Sequence, residues 1–363
     1  KSSSDEENRK NKMNKIIELF KCAAEEGGDK RAQGNLGIIY SSNEGIDIDY
    51  KESFKWYLLA AEQELVQAQQ QIGLYYYHGQ GIEKNENQAV EYFMKGSKQG
   101  YAESQYYLGL CYTNGSGIEK DFKKAMILFE KAMEQGHAET PYFIGTLHRI
   151  GFAVEKSEKK AFEWFLKAAK LGHSHSQYIV SLKYKSGENG VKQNPKTCVE
   201  WCLKAANQKH ADAQYLMGCI YAGGYGGIER NLNKATEWNI KAAENGNIEA
   251  IMMAASHCQS SNDNVKAFYW YKQAAKQGNT EAMHSIGIFY QYSLGVRCDL
   301  KKAAQWWLKA ARLGNEFALH DLECWYETGE VVGKNLKKAK EMILKSAAKG
   351  YQPAIDKLKT INY

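Results

Sequence analysis

Proline is scarce, with 3 residues in a chain of 363, which argues against a protein dominated by proline-rich linkers and for one folded almost throughout. Long apolar runs are missing too. None approaches the roughly 18 residues needed to cross a bilayer, so direct membrane insertion is not expected, and the opening KSSSDEENRKNK contains no apolar signal segment. Charge of one sign is not concentrated: 48 basic and 42 acidic residues leave a net charge of +6, far short of the stripe that nucleic-acid binding uses. The 8 cysteines, at 22, 111, 198, 202, 219, 258, 298 and 324, follow no pairing rhythm, which argues against a disulfide ladder, and a reducing, cytoplasmic-type compartment is expected. Because the first residue is lysine rather than methionine, the chain reads as part of a longer protein, with room for a neighbouring catalytic or membrane domain.

What the chain does have is repetition. Ala89, Ala125, Ala161, Cys198, Ala235, Ala267, Ala303 and Ala339 recur at 32 to 37 residue steps, and so do Gly37, Gly73, Gly109, Gly145, Ser181, Gly218, Ala255, Gly287 and Glu323. Two independent registers therefore agree on a period near 36. Within a unit the apolar residues fall at three and four residue steps: Ala102, Tyr106, Leu108 and Tyr112, then Ala125, Phe129 and Ala132. This spacing predicts two amphipathic helices, A and B, joined by a short loop.

Glycine inside helix A costs about 1 kcal/mol against alanine, so its recurrence implies close approach of a neighbouring helix. On helix B the small column is expected to face a bulky one: Trp56, Tyr92, Leu128, Trp164, Trp201, Trp238, Trp270, Trp306 and Met342. Four residues before the small column stand Asp49, Asn85, Asp121, Ser157, Asn194, Asn231, Asp263, Asp299 and Asn335. Each is a favoured N-cap, because its side-chain oxygen can accept an unpaired backbone N–H. Helix B then stops at glycine in most units, as at Gly100, Gly136 and Gly172.

The predicted fold is all-α, an α/α superhelical solenoid, since a two-helix hairpin buries its faces only by stacking on its neighbours. The organisation expected is a flexible segment at 1–12, a partial repeat helix at 13–28, and nine repeats at 29–64, 65–100, 101–136, 137–172, 173–209, 210–246, 247–278, 279–314 and 315–350. A capping helix over 351–363 completes it. The LGLCY core at 108–112, the GxGI loop at 115–118 and the KAxxWxxKAAxxG-like stretch at 160–172 resemble the Sel-one-like repeat (SLR) family, a relative of the tetratricopeptide repeat. Residues 247–278 depart from it in length and lack the glycine loop, and 315–350 carries Glu323 where glycine is usual.

Candidate chemistry is thin. The loop YTNGSGIEKDFKKA at 112–125 has the glycines of a phosphate cradle, yet a helix precedes it and no Ser or Thr follows the lysine in register, so it reads as a hairpin loop with Asp121 as cap. Cys198 and Cys202 lie one turn apart but occupy core columns. His137, His173 and His210 begin units where other copies have Asn247, Asn279 and Asn315, which makes them cap residues. His284 and His320 share a helix A position and are the pair to watch for a metal or a pH response. No Ser/His/Asp or paired-carboxylate constellation stands apart from the repeat, so no enzyme activity, cofactor or metal is expected.

Interest moves to the surface. The resemblance to tetratricopeptide-type solenoids implies that helix A lines a concave face. On it Tyr106, Tyr142, Tyr178 and Tyr215 form one column, continued by Met252, His284 and His320, and three residues earlier stand Glu103, Glu139, His175, Asp212, Glu249 and Glu281. An acidic, aromatic strip suits a basic protein or peptide segment, although the same tyrosines also fit packing between repeats. The expected function is that of a monomeric, non-enzymatic adaptor or scaffold. Two alternatives stay open: a regulatory region whose catalytic domain, for example a kinase, lies elsewhere, and a penicillin-binding hydrolase of the type implied by cysteine-rich relatives.

Overall fold

A computed structural model describes residues 2–43, 46–188 and 190–360. The described residues form twenty α-helices and no strand. The chain divides into two compact units, 1–176 and 177–363. The first contains α1 (Ser2–Glu25), α2 (Lys30–Ser41), α3 (Tyr50–Glu62), α4 (Val66–His78), α5 (Glu86–Lys98), α6 (Ala102–Asn114), α7 (Phe122–Glu134), α8 (Glu139–Ile150) and α9 (Glu158–Lys170). The division falls inside α10 (Ser174–Ser186). The second unit continues with α11 (Pro195–Asn207), α12 (Ala211–Gly223), α13 (Leu232–Glu244), α14 (Ile248–Ser260) and α15 (Asn264–Lys276), then α16 (Thr280–Gln291), α17 (Leu300–Arg312), α18 (Glu316–Thr328), α19 (Leu336–Ala348) and α20 (Gln352–Thr360). In each unit successive helices pair and stack as an α/α solenoid.

The caps fall where the repeat predicts them. Asp49, Asn85, Asp121, Ser157, Asn194, Asn231, Asp263, Asp299 and Asn335 all accept backbone N–H bonds at the start of the second helix of a pair. The stops are left-handed glycines, for example Gly136 at φ +82°. Where a unit lacks that glycine, Glu64 and Lys209 adopt the same left-handed backbone, at φ 61° and 62°.

Three features differ from the expectation. Helix α1 begins at Ser2 rather than near residue 13, which takes the segment expected to be flexible into a helix. No Gly or Pro interrupts residues 2–25, so the turns that bury Ile17 and Ala24 propagate backwards at little cost. At the other end Ile361, expected in the capping helix, lies outside the described residues.

The second difference concerns the helix A glycines, which receive a side chain rather than a bare helix. A Cβ on Gly73, Gly109, Gly145 or Gly287 would strike Phe93, Phe129, Phe165 or Trp307, each from the second helix of its own pair. The residue one position earlier, the Trp56-type column, joins clusters that also include the preceding helix: Trp56 with Ile17 and Ala24 of α1 and Ala32 and Leu36 of α2, and Trp164 with Ala125 and Phe129 of α7 and Ile144 of α8.

The third is a polar ladder that the sequence reading overlooked. Gln69 is buried; its amide donates to Ala61 O (3.3 Å) in the previous pair, and its carbonyl accepts from Gln99 (2.9 Å) at the end of its own pair. Gln214 repeats both bonds, to Ala206 O and from Asn245. A buried amide with both ends satisfied fixes register as well as burial. Its signal was available, since Gln33, Gln69, Gln105, Gln177 and Gln214 recur with the period.

Candidate functional site

Ahead of α8, α10, α12 and α14, the residue that begins the repeat meets a carboxylate, a column aromatic or both from the preceding A helix. In the first unit His137, expected as a cap, lies one residue before Ala138, which takes the N-cap position of α8. Its Nδ1 lies 2.7 Å from Thr140 Oγ1 and its Nε2 lies 3.0 Å from Glu103 Oε2, on the preceding A helix. The Tyr106 ring sits 4.7 Å from the imidazole centre. His173 repeats this arrangement, with Ser176 Oγ at 2.7 Å, Glu139 at 3.3 Å and the Tyr142 ring at 4.6 Å. His175 meets the same Tyr142 ring edge-on at 5.5 Å. Burial lowers the pKa of His173 below the ordinary histidine value, against the opposing pull of Glu139.

The second unit keeps the logic with different residues. His210 accepts the Ala213 N–H and lies 4.9 Å from Tyr178. Asn247 uses one end of its amide to cap Ala250 and the other to donate to Asp212 (2.8 Å). Thus Glu139 and Asp212 hold the caps of the next A helices and Glu103 holds the residue just before one, while the tyrosines pack between successive pairs. Burial pushes the Tyr178 hydroxyl up to about 12, with Asp212 and Glu249 adding to it, and raises Tyr106 and Tyr215 as well. Glu249 and Glu281 are exposed, and Met252 is half-buried.

His284 and His320 do not converge on one site. His284 pairs with Asp321 at 2.7 Å and stacks on Trp307 and Phe317. His320 faces Tyr351 at 5.4 Å, and its Nδ1 lies 3.7 Å from Glu323. His320, Glu323 and Cys324 do bring ligand-type atoms within 4.8 Å of one another. Both oxygens of the fully buried Glu323 are already taken by the Lys357 ammonium, at 2.8 and 3.0 Å, and Glu327 binds the same ammonium at 2.7 Å. Burial alone would lower the pKa of Lys357, but these bonds outweigh it and raise it. The Cys324 thiol is pushed up to about 11 by burial and by Glu323, so at neutral pH it is a thiol rather than a thiolate ligand. Glu323, Glu327 and Lys357 together anchor α20 onto α18.

The remaining motifs have structural partners as well. Gly115 ends α6 with a left-handed backbone, and a Cβ on Gly117 would collide with the Glu86 carbonyl at the start of α5. Asp121 caps α7, while Ile118 packs with Phe93 and Leu108. None of the eight cysteines is disulfide-bonded. Cys202 is buried with its thiol pushed up to about 12, and its Sγ–H points to Ala213 O. No described helix is long and apolar enough to cross a membrane.

Comparison with known proteins agrees with this architecture. The Sel1 repeat model matches nine times, at 30–65, 66–101, 102–137, 142–173, 174–210, 211–247, 256–279, 280–315 and 324–351. Among solved structures, a Sel1 repeat protein from Oxalobacter formigenes is similar at 27% identity over 85% of this chain and 89% of that one, with a TM-score of 0.58. A protective antigen of uropathogenic Escherichia coli with an SLR fold is 26% identical over 95% of this chain and 83% of that one, with a TM-score of 0.47. A search of curated protein sequences returns no match. With nine matches spread over both units, the chain belongs to the Sel1 repeat family.

Proposed function

We propose that the chain is a non-catalytic adaptor whose A helices hold an extended basic segment of a partner protein. Sel1 repeats build a protein-interaction scaffold, generally without catalysis. The observation that carries the finer reading is the row of carboxylates in the first turns of the A helices of the second unit: Asp212, Glu249 and Glu281, all exposed, beside half-buried Tyr178, Tyr215, Met252 and His284. Carboxylates beside aromatic rings offer a cationic side chain both a counter-charge and a stacking surface. The same row disfavours a nucleic-acid partner, because phosphates would face acids. In this reading the protein acts as a monomer in a reducing compartment, where thiols such as Cys202 and Cys324 stay reduced.

The test uses the exposed acids, since the tyrosines also carry packing. A random peptide library displayed on phage is selected on the wild-type chain and on Glu249→Lys/Glu281→Lys. Lys- and Arg-rich sequences should be enriched by the wild type and lost from the variant, with the thermal melt of the two proteins alike. Recovery of the same sequences by both would remove the acidic row from the binding surface.

A further inference from the structure

The bulky column of the second helices pairs with lysine. Three residues after the ring, an ammonium lies over its face: Lys95 on Tyr92 (4.6 Å), Lys167 on Trp164 (3.8 Å), Lys204 on Trp201 (4.4 Å), Lys241 on Trp238 (4.5 Å) and Lys309 on Trp306 (4.5 Å). In the pair α6–α7 the lysine is kept as Lys131, but the ring is replaced by Leu128. Leucine does not fill the space that the rings of Tyr92 and Trp164 occupy in the two neighbouring pairs. At this position there is a groove of ≈ 280 Å³, floored by Met94, Leu108, Tyr112, Ile127 and Leu128. Of these residues Ile127 is 53% exposed.

The rim is basic. Lys98 and Lys124 border the groove, and Lys131 stands one turn beyond Leu128. Asp121 pairs with Lys124 (3.2 Å) and Glu91 with Lys95 (2.9 Å), while Glu130 and Glu134 stand exposed on α7. Lys98 and Lys131 form no ion pair among the described residues. An apolar slot that lacks its aromatic ring, ringed by lysines, selects an aromatic side chain with carboxylates beside it.

We propose that this groove on the first unit is a docking site for a tryptophan flanked by acidic residues on a partner protein. The partner's indole takes the place held by Trp164 in the next pair, and its carboxylates meet Lys98 and Lys131. This surface lies on different helices from the acidic row, and its partner carries the opposite charge. The two assignments therefore stand or fall separately.

The probe is a synthetic pentapeptide, acetyl-Glu-Asp-Trp-Glu-Asp-amide, titrated calorimetrically into the full chain. The wild type should bind it, and the peptide with alanine for tryptophan should bind at least about tenfold more weakly, as expected for loss of a ring from its pocket. Leu128→Trp introduces the residue that the next pair carries as Trp164 and fills the groove, so it should abolish binding while leaving the melt and basic-peptide binding unchanged. Lys98→Glu/Lys131→Glu, altered only at exposed positions, should weaken binding and flatten its salt dependence. Absence of binding by the wild type, equal affinity for the alanine peptide, or undiminished binding by Leu128→Trp would each overturn the assignment.

Discussion

The Glu323 carboxylate is fully buried on α18, and both of its oxygens accept hydrogen bonds from Lys357 Nζ on α20, at 2.8 and 3.0 Å. The other repeats have a small residue at this position, usually glycine opposite a ring. The last repeat instead uses a buried ion pair to hold the terminal helix in place.

Removing one partner of such a pair should cost far more than removing both. Lys357→Met strands a buried carboxylate and is expected to destabilise by about 3–5 kcal/mol. Glu323→Gly/Lys357→Met should recover much of that loss while leaving α20 loosely held. Urea unfolding gives the first quantity, and faster amide exchange confined to α20 gives the second.

Gly109→Ala sets helix propensity against packing. The gain of about 1 kcal/mol from leaving glycine is opposed by a Cβ 2.5 Å from the Phe129 ring, an overpacking worth typically 1–3 kcal/mol. Net destabilisation is expected, with Phe129→Leu in the same chain restoring stability. Thermal melts of the single and double variants check this.

Lys209 occupies the left-handed position that seven other repeats give to glycine. Lys209→Gly relieves the clash of its Cβ at the cost of a more flexible unfolded chain, for a net gain of roughly 0.5–1 kcal/mol. An unchanged or lower urea midpoint would contradict this.

His173 makes stability depend on acid. Its pKa is lowered in the folded state by burial, so the unfolded chain binds the proton more readily. Its contribution is intact above the ordinary value of 6.5 and is lost as pH falls below it. His173→Asn, the residue that starts the units at 247, 279 and 315, should fold normally and lose less stability between pH 7.5 and 5.5. Urea midpoints at the two pH values measure the difference.

Alkylation with iodoacetamide should separate the thiols. Cys219 and Cys298 are exposed and should react first, whereas Cys111 and Cys202 are buried, with thiols pushed up to about 12. Peptide mapping before and after denaturation gives the order, and early labelling of Cys202 would show that the core at α11–α12 opens.

Local signals determined the two-helix unit, because they act within a few residues. An Asp or Asn side chain reaches only the N–H groups beside it, so Asp121 and Asn231 marked helix starts without knowledge of anything distant. Glycine at 136 or 278 marked the stops in the same way, and the period followed from counting. Partners between columns were not legible, because equal spacing leaves open which of two adjacent positions turns toward which helix. The partner of Gly109, read only as the close approach of a helix, proved to be the Phe129 ring, and the acids read as a free strip partly hold the next cap, as Glu139 holds His173. Only the stacked structure decided that Glu323, an anomaly in the repeat, is neutralised by Lys357 from another helix. It also decided that Leu128, an ordinary apolar residue in sequence, lines a groove where the neighbouring pairs carry the larger Tyr92 and Trp164. Helices and their ends depend on contacts a few residues away, whereas vacancies and buried charges depend on what thirty or more residues away completes or fails to complete them.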